Sequence, residues 1–126
     1  MDIAEREATQ AQTKFVTASL TLTDSDIMDF AFVSALHAST GITITLPAAL
    51  RAYKDRRLCM ARTGAAAVKV VAGADSAGVV GFGSAGGNYD TLTLERGGEI
   101  EVFVREYTSG VFGWDYSGNT TVAAAT

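Results

Sequence analysis

The chain has 126 residues, a net charge of −4 and a pI near 4.8. That length holds one domain and buries about two-thirds of the unfolded chain's surface, enough for a core without metal or disulfide support. The acidic balance argues against a nucleic-acid binder, and the single cysteine excludes an intramolecular disulfide.

Hydrophobic residues make up 48% of the chain and charged residues only 19%, below the usual quarter. So low a charge fraction suggests that some surface meets another protein. The start, Met1-Asp2-Ile3-Ala4-Glu5-Arg6-Glu7, is acidic where a signal peptide is basic and then apolar. No apolar stretch approaches the roughly 20 residues of a membrane helix. The expectation is a protein made and folded in a cytoplasm, binding neither membrane nor nucleic acid.

Residues 1–13 read as an N-terminal arm. Asp2 to Gln12 is rich in Ala, Glu and Gln, with Ile3 its one large apolar residue past Met1. So short a segment is marginal as a free helix, and is either ordered against a neighbour or simply frayed. From Phe15 the pattern has period two. In Val16-Thr17-Ala18-Ser19-Leu20-Thr21-Leu22 apolar residues alternate with hydroxyls, as in a strand with one face in a core. Asp24-Ser25-Asp26 supplies a turn, and Ile27 to Leu36 is a strand or a short helix. Gly41 to Leu46 alternates again until Pro47 removes a ladder donor. Ala48 to Asp55 suits a helical turn, and Arg51, Lys54, Arg56 and Arg57 make it a solvated basic one.

Short strands follow at Arg57–Arg62 and Val68–Ala72, separated by a turn at Thr63-Gly64-Ala65. Val79-Val80 leads into a glycine-rich stretch from Gly81 to Gly87. Thr91 to Leu94 resumes the alternation, and Arg96-Gly97-Gly98 turns into Glu99 to Val104. A last turn at Tyr107 to Gly110 precedes Val111 to Tyr116. Residues 120–126 read as a flexible tail, leaving 14–119 as the domain. Eight or nine short strands with glycine turns predict an all-β fold, an antiparallel jelly-roll-like sandwich or barrel.

No segment carries the pattern of a catalytic or cofactor site, and no cofactor is expected. Gly81-Phe82-Gly83-Ser84-Ala85-Gly86 matches GxGxxG, but a dinucleotide fingerprint opens a helix whose N-terminus holds the pyrophosphate. Here Asn88-Tyr89-Asp90 and an alternating strand follow, so a hairpin loop is the better reading. His37, the one histidine, reads as a strand-end or surface residue. Cys59, within Leu58-Cys59-Met60, reads as a small buried hydrophobe. One His and one Cys far apart make no zinc site. Asp24 and Asp26 lack the spacing of a calcium loop. Phe112, Trp114 and Tyr116 share one strand face, which is either core or a surface for stacking on sugars.

The order of motifs resembles that of bacteriophage head-decoration and tail-fibre domains. The resemblance rests on Thr43-Ile44-Thr45-Leu46-Pro47-Ala48-Ala49, Gly64-Ala65-Ala66-Ala67-Val68-Lys69-Val70 and Gly78-Val79-Val80-Gly81. It continues through Leu92-Thr93-Leu94-Glu95-Arg96-Gly97-Gly98 to Trp114-Asp115-Tyr116. It spans about Phe15 to Gly118 and departs at Tyr53-Lys54-Asp55-Arg56, where the usual glycine is missing.

The resemblance implies a non-enzymatic structural protein of the virion. A chain of this size, with its own Met1 and no long shaft, is more similar to a capsid decoration (cement) protein than to a fibre. Its implied partners are the major capsid protein and sister subunits, in a homotrimer rather than a dimer. The arm, with Ile3, Glu5, Arg6 and Phe15, would make the contact. The alternative is a tail-fibre or receptor-binding module holding host glycan through Asn88, Tyr89, Asp90 and Trp114.

Overall fold

A computed structural model describes residues 12–54, 56–83, 89–118 and 120–124, with residues 121–124 described by their backbone. Ile3, Glu5, Arg6 and Asn88 lie outside the described residues. Among the described residues, ten strands form two five-stranded sheets. They are β1 (Thr13–Val16), β2 (Leu20–Thr21), β3 (Phe32–Ala35), β4 (Ile42–Thr45) and β5 (Arg57–Arg62). The second half adds β6 (Val68–Val71), β7 (Tyr89–Leu94), β8 (Glu99–Thr108), β9 (Val111–Gly118) and β10 (Thr120–Ala124). Sheet 1 has the order β1-β3-β5-β8-β9 and sheet 2 the order β10-β7-β6-β4-β2. The expected all-β sandwich is what forms.

Its winding differs from the expected antiparallel jelly roll. Among the described strands, β1 with β3, β3 with β5, β2 with β4 and β4 with β6 all pair parallel. The chain steps from sheet 1 to sheet 2 and back, so each crossover between parallel neighbours is the strand of the opposite sheet. Three turns of a flattened coil result. Parallel neighbours need a long crossover, and here the second sheet supplies it. From β7 onward the pairings are antiparallel, joining β6 to β7, β7 to β10, β5 to β8 and β8 to β9.

The stretch Val16–Leu22 is thus a corner rather than one strand. Val16 lies in sheet 1 and Leu22 just past β2 of sheet 2, each 1% exposed, while Thr17, Ala18 and Ser19 lie open between them. Val16 before the corner and Leu22 after it turn inward because both sheets face one core, while the apolar Ala18 between them lies open. Asp24-Ser25-Asp26 begins a helix, α1 (Asp24–Asp29), with Thr23 as its N-cap. The Thr23 hydroxyl accepts from the Asp26 N–H, and the Asp26 carboxylate accepts from the Thr23 N–H, the reciprocal bonding of a capping box. Residues 51–53 form a single 3-10 turn, which buries Tyr53.

Residues 120–124 are not a free tail. β10 pairs with β7 from Thr120↔Leu94 to Ala124↔Tyr89 and completes sheet 2. Likewise the folded chain already includes Gln12 and Thr13, for the Gln12 carbonyl accepts from the Ala31 and Phe32 N–H groups.

The core lies between the sheets and is built from alternate residues of every turn. It includes Val33 and Ala35 of β3, Ile42 and Ile44 of β4, Leu58 and Met60 of β5, and Val68 and Val70 of β6. Phe82 and Trp114 belong to it as well. Among the described residues no helix is long and apolar enough to cross a membrane.

Candidate functional site

The outer face of sheet 1 divides into two halves of different chemistry. On β1 and β3, Val16, Val33 and Ala35 turn inward and are each 1% exposed. The residues between them therefore point outward, and they include Phe15 and Phe32. Leu36 continues the outward set, held to the edge strand by its N–H, which donates to the Val16 carbonyl. The register sets Thr13 against Phe32 and Phe15 against Ser34. Phe15 is 77% exposed, Leu36 52% and Phe32 41%. Among the described residues of β1 and β3 the one charged side chain is Lys14, which pairs with Asp26 at 3.2 Å. Large apolar residues left open on one patch mark contact surfaces more often than isolated ones do.

The other half, on β5, β8 and β9, is charged and internally paired. Arg57 Nη1 donates to Glu101 Oε1 at 2.6 Å, and Arg105 Nε lies 3.2 Å from Asp115 Oδ2. Both guanidiniums cover Phe103, with Arg57 at 4.4 Å and Arg105 at 5.6 Å from the ring centroid. Cys59, expected in the core, lies half-buried on this outer face, opposite Glu101. Its Sγ is 3.8 Å from Glu101 Oε2. Burial first, and the charges of Glu101 and Glu99 second, push its thiol pKa up, which disfavours the thiolate a nucleophile requires.

Of the expected contact residues of the arm, Phe15 lies among the described residues, exposed on β1. Of the glycan set, Trp114 is withdrawn from the surface. Trp114 is 1% exposed and its indole N–H donates to the Pro47 carbonyl at 2.7 Å, so the ring is core and offers no face to a sugar. Phe112 and Tyr116 turn inward with it, and Tyr53 packs on Trp114 at 6.0 Å between centroids. Tyr89 is exposed at the start of β7, with half-buried Asp90 beside it. In the GxGxxG match, Phe82 is fully buried and bridges the backbones of Tyr89 and Trp114. Gly81 to Gly83 therefore belong to the packed body, not to the start of a helix.

His37 lies just past β3, as expected of a strand-end residue. Its Nδ1 accepts from the N–H groups of Ser39 and Thr40 at 3.2 and 2.9 Å and shapes that loop. Asp24 accepts from the Tyr53 hydroxyl at 2.6 Å, and Asp26 pairs with Lys14 at 3.2 Å. Both carboxylates serve the fold. Among the described residues no group of three His, Cys, Asp or Glu is placed to hold a metal ion.

Two parts of this surface escape a reading of the sequence. Phe32 and Leu36 sit in the apolar run Ile27–Leu36, where odd and even positions look alike. Only the inward burial of Val33 and Ala35 separates them. The convergence of Arg57, Phe103 and Arg105 depends on the register of β5 against β8. Comparison with family models, with curated proteins and with solved structures finds no match for this chain.

Proposed function

We propose that this chain is a non-enzymatic structural protein of a phage particle, a capsid decoration protein that docks through the β1–β3 half of sheet 1. The observation that carries this reading is the open apolar surface of Phe15 on β1 and of Phe32 and Leu36 on and just past β3. The motif order from Thr43 to Tyr116 supports the virion context. Three side chains fall short of the roughly 800 Å² that each partner gives to a standard interface. The neighbouring charged half and the segment before Gln12 would share the contact, with the major capsid protein and sister subunits as partners. Binding only the assembled, expanded shell would stabilise it by mass action.

The glycan-binding reading has lost Trp114 to the core, and the surface that remains favours a protein partner. The test is co-sedimentation of the purified chain with expanded heads built from the capsid protein encoded alongside it. Retention in the pellet supports the proposal. Absence of binding, combined with glycan-array hits, would transfer the reading to a fibre module.

A further inference from the structure

Beside the apolar half-face lies a shallow groove of about 320 Å³ lined by Lys54, Arg57, Phe103, Val104, Arg105 and Glu106. Three of these six residues are cations, and their side chains are 49%, 60% and 56% exposed for Lys54, Arg57 and Arg105. Arg51 is the next cation along, over the Phe112 ring at 5.8 Å.

The carboxylates nearby are already committed. Glu106 accepts from Lys54 Nζ at 3.3 Å and from the Gly110 N–H at 2.9 Å, which ties it to the β8–β9 turn. Glu101 and Asp115 lie to the side of the groove, each on one guanidinium nitrogen. With Arg51 counted, the cations Arg51, Lys54, Arg57 and Arg105 outnumber by one the described carboxylates that pair with them, Glu101, Glu106 and Asp115. The chain as a whole has a net charge of −4. Phe103 holds the two guanidiniums over one ring, which gathers like charges that would otherwise spread apart. A guanidinium has five N–H donors in a planar fork suited to carboxylates. The contacts described for Arg57 and Arg105 use one nitrogen of each.

We infer that this groove binds an acidic peptide segment of a partner, with its carboxylates on Lys54, Arg57 and Arg105. The inference rests on the proposed docking face and names the chemistry of what docks there. Exposed ion pairs of this kind contribute little to stability, so the cations can exchange partners without cost to the fold. An acidic strip on the partner would steer the encounter and set the register, while Phe15, Phe32 and Leu36 supply apolar contact.

The test is fluorescence anisotropy with labelled hexaglutamate on the full chain at low ionic strength, with hexalysine as control. The chain is expected to bind hexaglutamate and not hexalysine, with affinity falling as salt rises. The Arg57→Gln/Arg105→Gln variant keeps part of the side-chain cover over Phe103 and should lose at least tenfold in affinity with an unchanged melting temperature. Lys54→Gln serves as a second, separate variant and should weaken binding in the same direction. Equal binding of the two peptides, or full binding by the arginine variant, would overturn the inference. Head binding that persists while hexaglutamate fails would sink this inference alone and leave the proposed function standing.

Discussion

Trp114 combines the largest fully buried side chain of the described core with a polar atom that needs a partner, which it finds in the Pro47 carbonyl at 2.7 Å. Replacing it with Phe removes that donor and leaves a gap where the indole was. Trp114→Phe is expected to destabilise the fold by about 1–3 kcal/mol, measured by urea unfolding, with the β spectrum retained. Tyr53, packed on the same indole, has its hydroxyl pKa pushed up to about 12 by burial and then by the bond to Asp24. Asp26 shows the opposite balance. Burial raises its pKa, but the Thr23 N–H, Lys14 and the Thr23 hydroxyl outweigh it and hold the carboxyl below its ordinary value. A carboxyl with a depressed folded-state pKa stabilises the fold above its unfolded pKa, and that contribution is lost as pH falls through the folded value. Wild type should therefore exceed Asp26→Asn in stability at neutral pH, with the gap closing below about pH 4. A gap independent of pH would contradict this assignment.

The strands themselves were legible because alternation and glycine turns record which side of a strand meets the core. Arg57–Arg62 matches β5 throughout, and Val68–Ala72 and Thr91–Leu94 lie on β6 and β7. Strand direction was not legible. Ile42, Val68 and Leu92 would alternate in the same way beside a parallel or an antiparallel neighbour, so the coil of β1 to β6 leaves no mark in the pattern. The turns of the coil differ in length, and no repeat announces it. The turn before β9 was readable at Gly110, whose φ of 82° favours glycine. Gly73 was not, because its constraint is a close approach across the fold. A Cβ there would overlap the Pro47 carbonyl and lie 2.7 Å from the Leu46 oxygen. Gly73→Ala is expected to cost about 3 kcal/mol or more, visible as a large fall in the urea midpoint. β10 was misread as a tail because small uncharged residues such as Thr, Val and Ala also suit an edge strand. Ending the chain after Gly118 should lower the melting temperature by several degrees, since it strips β7 of one of its two neighbours and removes the Thr120 hydroxyl bond to the Thr93 carbonyl. A frayed tail would leave the melting temperature unchanged.

At the scale of the whole molecule, Phe15 and Phe32 are, among the described residues, the large aromatic side chains that sheet 1 leaves open on its outer face. Phe15 and Phe32 contribute little to the core from there, and the proposed docking would give their exposure a role. The site was legible only in part. Phe15 reads with the arm's contact residues, while its place on one outer face with Phe32 and Leu36 required the register of β1 against β3. The same face carries the paired cations of β5 and β8, so apolar contact and charge lie side by side on one surface. The most direct measurement compares wild type with Phe15→Ser/Phe32→Ser in co-sedimentation with expanded heads of the cognate capsid protein. The account predicts wild-type protein in the pellet, the double variant in the supernatant, and the same urea midpoint for both. Equal co-sedimentation of the two proteins would contradict the claim that this face is where the molecule docks.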